Sequence, residues 1–216
     1  MSKRIGILGS GQVARALSKG FLELGYDVML SSRNTDKLKD WKNEAGGHAH
    51  LGTFIEAAAY GDILVLAIKG SAAVEALSKV NKGDLQDKTI IDTTNPISSK
   101  SPEHGVIQYS TDLGHSLMEE LQGTFPDALF VKAFNSVGNQ HMVNPSFPDG
   151  PPTMFICGNS DKAKSEASEI IRAFGWQIED MGKVEAARAI EPLCMLWCIP
   201  GMLHNQWNHA FKLIRK

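Results

Sequence analysis

Several things are scarce in this chain. Only three of its 216 residues are cysteine: Cys157, Cys194 and Cys198. That is too few for a disulfide scaffold and favours a reducing compartment. Cys194 and Cys198 stand four apart with His204 nearby, but the spacing matches no usual zinc knuckle, so buried thiols and no metal are expected. There is no excess of charge of either sign. The 22 Lys and Arg against 24 Asp and Glu leave a net charge of −2, which offers no handle for nucleic acid or an anionic membrane surface. Long apolar runs are missing as well. The first stops at Gly9, too short for a secretion signal, and runs such as Asp62 to Ile68 are strand-length. No internal repeat, low-complexity segment or inter-domain linker is visible. A cytoplasmic protein with one good core is the expectation, and no membrane partner.

What is present alternates between two periods. Arg4 to Leu8 and Tyr26 to Leu30 read as short strands. Val13, Leu17, Phe21 and Leu24 lie on one helical stripe between them, ended by Gly25. Asn34 to Asn43 reads as a second helix and Ala49 to Gly52 as an edge strand. Thr53 with Glu56 forms a capping box for Ile55 to Ala59. Asp62 to Ile68 is apolar on both faces, as a central parallel strand is. Ser71 to Lys79 is helical and Thr89 to Asp92 is the next strand. This alternation predicts an α/β fold of Rossmann type, a mostly parallel sheet with helices on both faces.

Beyond it, Leu113 to Leu121 is predicted helical and Leu129 to Phe134 extended. Met154 to Cys157, a helix over Asp161 to Phe174, and Trp176 to Glu179 follow, the last expected to close the sheet. Val184 to Lys212 is expected to be mostly helix, broken by Pro192 and Pro200. The division expected is a dinucleotide-binding domain over 1–180 and a helical C-terminal extension over 181–216. The extension would pack on the domain or at a homodimer interface formed by Leu193 to Leu203. Two long irregular segments, 98–109 and 136–152, leave from strand ends, where open α/β sheets hold ligands.

The first strand runs straight into Gly9-Ser10-Gly11-Gln12-Val13-Ala14, a G-x-G-x-x-A turn opening a helix. Gly9 makes the turn, Gly11 admits a pyrophosphate close to the backbone, and Ala14 lets helix and strand touch. N–H groups from Ser10 to Val13 then face the phosphates. About twenty residues on, NAD sites place an acid against the ribose. Here Ser31, Ser32 and Arg33 stand instead, with Asp36 too late to serve. Arg33 can pair with a 2′-phosphate, with Ser32 and Lys37 in support, so NADP(H) is the cofactor expected. The strand-end residues Ile68, Lys69, Asn95, Pro96, Ala133 and Asn135 are candidates for the nicotinamide half. Ile68 and Phe134 read equally well as core, and Asn95 as a turn stabiliser.

No side chain declares itself as an acid or base. Tyr109 has no Lys in helical register, and His141 and His204 read better as surface or structural groups. With no catalytic residue identified, cofactor-to-cofactor hydride transfer is favoured over alcohol or amine dehydrogenation. Reduction of a small carbonyl or imine acid, ferric or flavin reduction, and a non-catalytic NADP sensor stay open as alternatives.

An ordered series of motifs then carries a resemblance. Ile7-Leu8-Gly9-Ser10-Gly11, Ser32-Arg33, Asp92-Thr93-Thr94-Asn95-Pro96, Val131-Lys132-Ala133-Phe134-Asn135, Cys157-Gly158, and Ala187 to Leu193 with Trp197 resemble the NADPH-dependent deazaflavin-coenzyme reductase family. The cytosolic reductase domain of the STEAP metalloreductases is similar. The resemblance runs from Arg4 to about Trp197. It implies a Rossmann domain holding NADP, a flavin or deazaflavin as second substrate, and commonly a homodimer. It also implies phosphate contacts from Ser10 to Val13, a 2′-phosphate held by Ser32, Arg33 and Lys37, and a nicotinamide flanked by Asn95, Pro96 and Ala133. Arg188 and Glu191 look structural by this resemblance, and being three apart they are expected to pair with each other. The chain departs from the pattern at Lys69, where many relatives carry Pro, and at Ser136, where Thr is usual.

Overall fold

Six short apolar runs become strands because both of their faces are covered. β1 (Arg4–Leu8), β2 (Asp27–Ser31), β3 (Ala49–Gly52), β4 (Ile63–Leu66), β5 (Thr89–Asp92) and β6 (Leu129–Lys132) lie parallel in the order β3-β2-β1-β4-β5-β6. The computed structural model describes residues 3–216. The order reverses between β1 and β4, so the carboxyl ends of those two strands flank the crevice where such sheets take their ligands. Ile5 sits between Val28 and Ile63 in register, and every residue of β4 and β5 is buried.

One apolar cluster covers each face of the sheet. On one side Leu17 and Phe21 of α1 (Gln12–Glu23) meet Ile170 and Phe174 at the end of α6 (Asp161–Ala173). On the other, Ala57 of α3 (Phe54–Tyr60), Leu77 of α4 (Ala73–Ser78) and Leu121 of α5 (Leu117–Thr124) pack against Leu64 and Phe130. α3 rests directly on the backbone of β1: a Cβ on Gly6 would stand 2.1 Å from the Ala57 carbonyl oxygen. The Thr53 capping box forms as expected, with Glu56 reaching back to the Thr53 N–H. The predicted second helix is shorter and later, a 3-10 turn over Thr35–Leu38 leading into α2 (Lys39–Ala45).

Three expectations fail in instructive ways. β7 (Thr153–Ile156) and β8 (Gln177–Asp180) do not close the main sheet; they form a separate two-stranded parallel sheet. It meets β6 only at its end, through the antiparallel bridge between Lys132 and Cys157. The C-terminal helix also stops early. α7 (Ala187–Ile190) and α8 (Pro192–His204) are followed by Asn205 in the left-handed region at φ 54°. From there the chain doubles back, with the Phe211 carbonyl and the Leu213 N–H bonded to Thr153. The Trp207 ring covers Gly201, where a Cβ would come within 2.3 Å of it.

The third concerns apolar length. Val184–His204 is one helical stretch of 21 residues, long and apolar enough to cross a membrane by length and composition. Its polar groups nevertheless belong to this domain. Glu191 is ion-paired with Lys132 in the interior, and Arg188 binds Glu119 on α5. Pro192 opens α8 at the first helical position, where no N–H is needed.

Gly6→Ala forces α3 off β1 and is expected to destabilise the fold by about 3 kcal/mol. A lower urea midpoint at unchanged m-value is the readout.

Candidate active site

At the crevice, β1 ends in Gly9 at φ 143°, a conformation that L side chains avoid. Its Cβ would also collide with the Ala67 carbonyl at 2.1 Å. Ser31 locks this turn from the neighbouring strand. Its buried hydroxyl donates to the Ile7 carbonyl at 2.7 Å and accepts from the Gly9 N–H at 3.2 Å. Ser31 is therefore a brace for the turn, and its hydroxyl is committed. Beyond Gly11 the helix α1 starts with no side-chain cap and no acid in its first turn. Its leading N–H groups are thus left for an outside acceptor, at the positive end of the helix dipole. A Cβ on Gly11 would meet nothing within 4 Å, so the approach is open.

The end of β2 carries cations and hydroxyls. Ser32 is half-buried and accepts from the Asn34 N–H at 3.1 Å, which leaves its own proton to donate. Arg33 and Lys37 are exposed. Asp36 does not compete for them, because Lys39 holds its carboxylate at 2.7 Å and keeps its pKa below the usual range. Arg33 faces α4, where its charge adds to that of Lys79 in holding the Glu75 carboxyl low. This donor set, with no free carboxylate at the strand end, fits the 2′-phosphate of NADP(H) and fits poorly the bare ribose of NAD.

At the other side of the crevice Lys69 is exposed, while Ile68 is partly buried against the second core cluster. Ala133 and Pro96 are buried, so Ala133 can offer a ligand only its backbone. Phe134 is core, but it is held at φ 60°, a strained value for a bulky residue. That bend aims Asn135 back at Asn95. The Asn95 amide donates to the Asn135 carbonyl at 2.7 Å, and the Asn135 amide donates to the Ile190 carbonyl at 2.9 Å and to Asn95 Oδ1 at 3.2 Å. The Tyr109 hydroxyl donates to the Glu191 carbonyl at 2.7 Å. Burial pushes the Tyr109 pKa up, so this hydroxyl is a fixed strut. Asn95 is thus more than a turn stabiliser. It joins the β5 and β6 loops to the start of α8.

Beneath these loops lies a buried ionic triad that no local sequence pattern announces. Lys132 Nζ sits 2.7 Å from Asp92 Oδ2, 2.8 Å from Glu191 Oε1 and 2.8 Å from the Thr94 carbonyl. Its side chain is 0% exposed. Burial alone would discharge the ammonium, but the charges of Asp92 and Glu191 outweigh it and raise the pKa. Asp92 also accepts from the N–H and hydroxyl of Thr94, and Glu191 from the N–H groups of Leu117 and Met118. Glu191 therefore caps α5 from 73 residues away. The expected Arg188–Glu191 pair does not form. The two groups leave the helix in different directions, and Arg188 binds Glu119 instead through Nε and Nη2.

The remaining candidates stay apart. His204 is exposed, Cys194 and Cys198 are buried with Tyr109 and Trp197, and no group of metal ligands forms among the described residues. His141 bonds Asn208 of the returning tail. A cleft of about 390 Å³ lined by Lys3, Tyr26, Ile63 and Glu166 lies at the opposite, amino ends of the strands.

A parallel sheet in this order, with an uncapped helix after its first glycine turn, defines a Rossmann-type dinucleotide-binding protein. Residues 4–96, somewhat under half of the chain, match the model of the family described as NADP oxidoreductase, coenzyme F420-dependent. The crystal structure of a candidate F420-dependent NADP-reductase from Arthrobacter sp. FB24 is similar throughout, with a TM-score of 0.91 and 28% identity over 99% of this chain and 100% of that one. Metalloreductase STEAP3 of Rattus norvegicus is 31% identical over 207 residues, which is 93% of this chain but 39% of that protein. The chain thus spans about two fifths of that relative's length. An imine reductase from Aspergillus terreus shares the fold, at a TM-score of 0.67 and 17% identity over 91% of this chain and 61% of that one.

Two outcomes are expected. Lys132→Met leaves two buried carboxylates facing each other and costs about 3–5 kcal/mol. A lower urea midpoint than wild type is the readout. The second concerns Glu119, whose carboxyl Arg188 and Ser116 hold down to about 2. A depressed carboxyl stabilises the fold above its ordinary value and loses this as pH falls toward the folded one. Arg188→Ala should therefore lower stability near neutral pH, with the gap to wild type narrowing as the pH approaches about 2.

Proposed function

We propose that this chain is an NADP(H)-dependent oxidoreductase that passes hydride between the nicotinamide and a flavin-like or deazaflavin acceptor. One observation carries the cofactor half: an uncapped helix N-terminus faces a strand end that offers Ser32 and Arg33 and no free carboxylate. In this reading Gly9, Ser10, Gly11, Gln12 and Val13 hold the pyrophosphate through backbone N–H groups. Ser32, Arg33 and Lys37 hold the 2′-phosphate. Ile68, Lys69, Asn95, Pro96, Ala133 and Asn135 border the nicotinamide half. When bound, the dinucleotide supplies the hydride. The chain's own part is to fix the ring and leave one face to a flat acceptor.

The chemistry of the crevice supports an acceptor that needs no acid from the protein. Tyr109 is the phenol nearest Asn95, and its proton is spent on the Glu191 carbonyl. Reduction of a carbonyl or imine would call for a donor poised toward open space. We further read residues 1–180 as the dinucleotide domain and 181–216 as its extension. The three cysteines are free and buried, in keeping with a cytoplasmic site of action. The exposed Leu196, Met202 and Leu203 on α8 offer an apolar face to a second copy.

The test is rapid-mixing oxidation of NADPH against FMN, FAD, a deazaflavin and ferric chelates. Turnover with a tricyclic acceptor is expected; inertness toward the whole panel, with NADPH bound, makes the chain a sensor instead. For the cofactor, Arg33→Ala removes a charge-assisted pair and should weaken NADP(H) binding about 10- to 100-fold. NAD(H) binding should change less than about twofold, since the ribose hydroxyls make no such pair. Equal losses for both dinucleotides would refute the assignment.

A further inference from the structure

The triad beneath the nicotinamide loops is not neutral. Asp92 Oδ1 accepts from the Thr94 N–H and hydroxyl, while its Oδ2, which makes no hydrogen bond, lies 2.7 Å from the Lys132 ammonium; Glu191 accepts from the Leu117 and Met118 N–H groups with Lys132 at 2.8 Å. A carboxyl whose oxygens face only N–H and O–H donors and an ammonium is the ionised form. Against these two anions stands one cation, Lys132. The neighbouring Cys157 thiol does not add to the balance, since burial pushes its pKa up to about 12. The N-terminus of α5 contributes a partial positive charge to Glu191 and offsets the excess only in part. Arg188 and Glu119 nearby cancel each other. Lys69, the remaining cation at these strand ends, is exposed and screened by solvent, whereas the triad side chains are at most 2% exposed.

We propose that the Asp92–Lys132–Glu191 triad holds an uncompensated buried negative charge under the nicotinamide loops and thereby favours the oxidised, cationic ring over the neutral, reduced one. This rests on the cofactor reading above. Asp92 ends β5 and connects through Thr94 to Asn95, so its field reaches the ring's side of the crevice through protein and not through water. Loss of hydride removes one proton and two electrons from the ring and leaves it with one positive charge. The acceptor heterocycle takes that hydride. A fixed negative charge close by stabilises the product of this step more than its reactant, so the bound cofactor is the stronger donor. Asp92, Lys132 and Glu191 are on this view positioning and electrostatic residues that touch no reacting atom.

The readout is the ratio of two affinities on the same folded protein, which a purely structural role would not move. Dissociation constants for NADP+ and NADPH are measured by calorimetry for wild type, Glu191→Gln and Asp92→Asn. Removing one buried charge at this range is expected to raise the ratio of the NADP+ constant to the NADPH constant about tenfold. Glu120→Gln, an exposed change on the same helix, should leave the ratio within about twofold. A ratio unchanged in both triad variants, with both ligands still bound, overturns the proposal. Should neither variant fold, the wild type decides: NADP+ bound at least as tightly as NADPH supports the proposal, and NADPH bound more than about tenfold tighter overturns it. If neither dinucleotide binds the wild type, the cofactor reading itself has failed, a separate and recognisable result.

Discussion

Lys132 is the constraint on which the reacting end of this molecule depends. A lysine at the end of β6, the last strand of the sheet, with no exposure, survives only if its charge is met from several sides. Here the partners come from β5, from the turn after it and from the junction of α7 and α8. Because the ammonium demands all three at once, it fixes the relative placement of loops that share no regular hydrogen bonding. Glu191 passes the constraint on, through its carboxylate to the N-terminus of α5 and through its carbonyl to Tyr109. Asn95 and Asn135, the polar groups in the loops after β5 and β6, are then held between β-sheet and helix by these same contacts.

The two halves of the crevice are built on different physics. The half at β1 and α1 is made of backbone: a glycine turn, a helix dipole and a serine brace under the turn. It needs few particular side chains and no buried charge. The half at β5 and β6 is made of side-chain networks, including a strained Phe134 and a buried ion triad. Strain and buried charge both cost stability, and they are concentrated at one end of the sheet, where function repays them.

This difference also explains what could be read before the structure. Gly9 to Ala14, the Ser32–Arg33 pair and the capping box at Thr53 are local patterns, each complete within a few residues, and each appears where expected. The triad is invisible to such reading because its members are separated by 40 and 59 positions, from 92 to 132 and from 132 to 191. One signal was present: a lysine at the end of the apolar run Leu129 to Val131 must find anions if that strand end is buried. Arg188 and Glu191 misled for the converse reason. A spacing of three suggests a pair worth tenths of a kcal/mol, and tertiary partners easily outbid it. The separate β7–β8 sheet and the returning tail depend on long-range contacts with Cys157 and Thr153 that no local pattern encodes.

The reach of the family match follows the same line. It covers residues 4–96, which end at Pro96, just past β5. The loop bearing Tyr109, the bend at Phe134, the segment from Ser136 to Pro152 and α8 all lie later. Backbone phosphate cradles are indifferent to what the nicotinamide reacts with, so a shared first half constrains the donor and leaves the acceptor to the second half. The similarity to the Arthrobacter structure extends across that second half at a TM-score of 0.91. Its architecture is therefore shared as well, and differences in acceptor would have to arise from side chains lining a common frame.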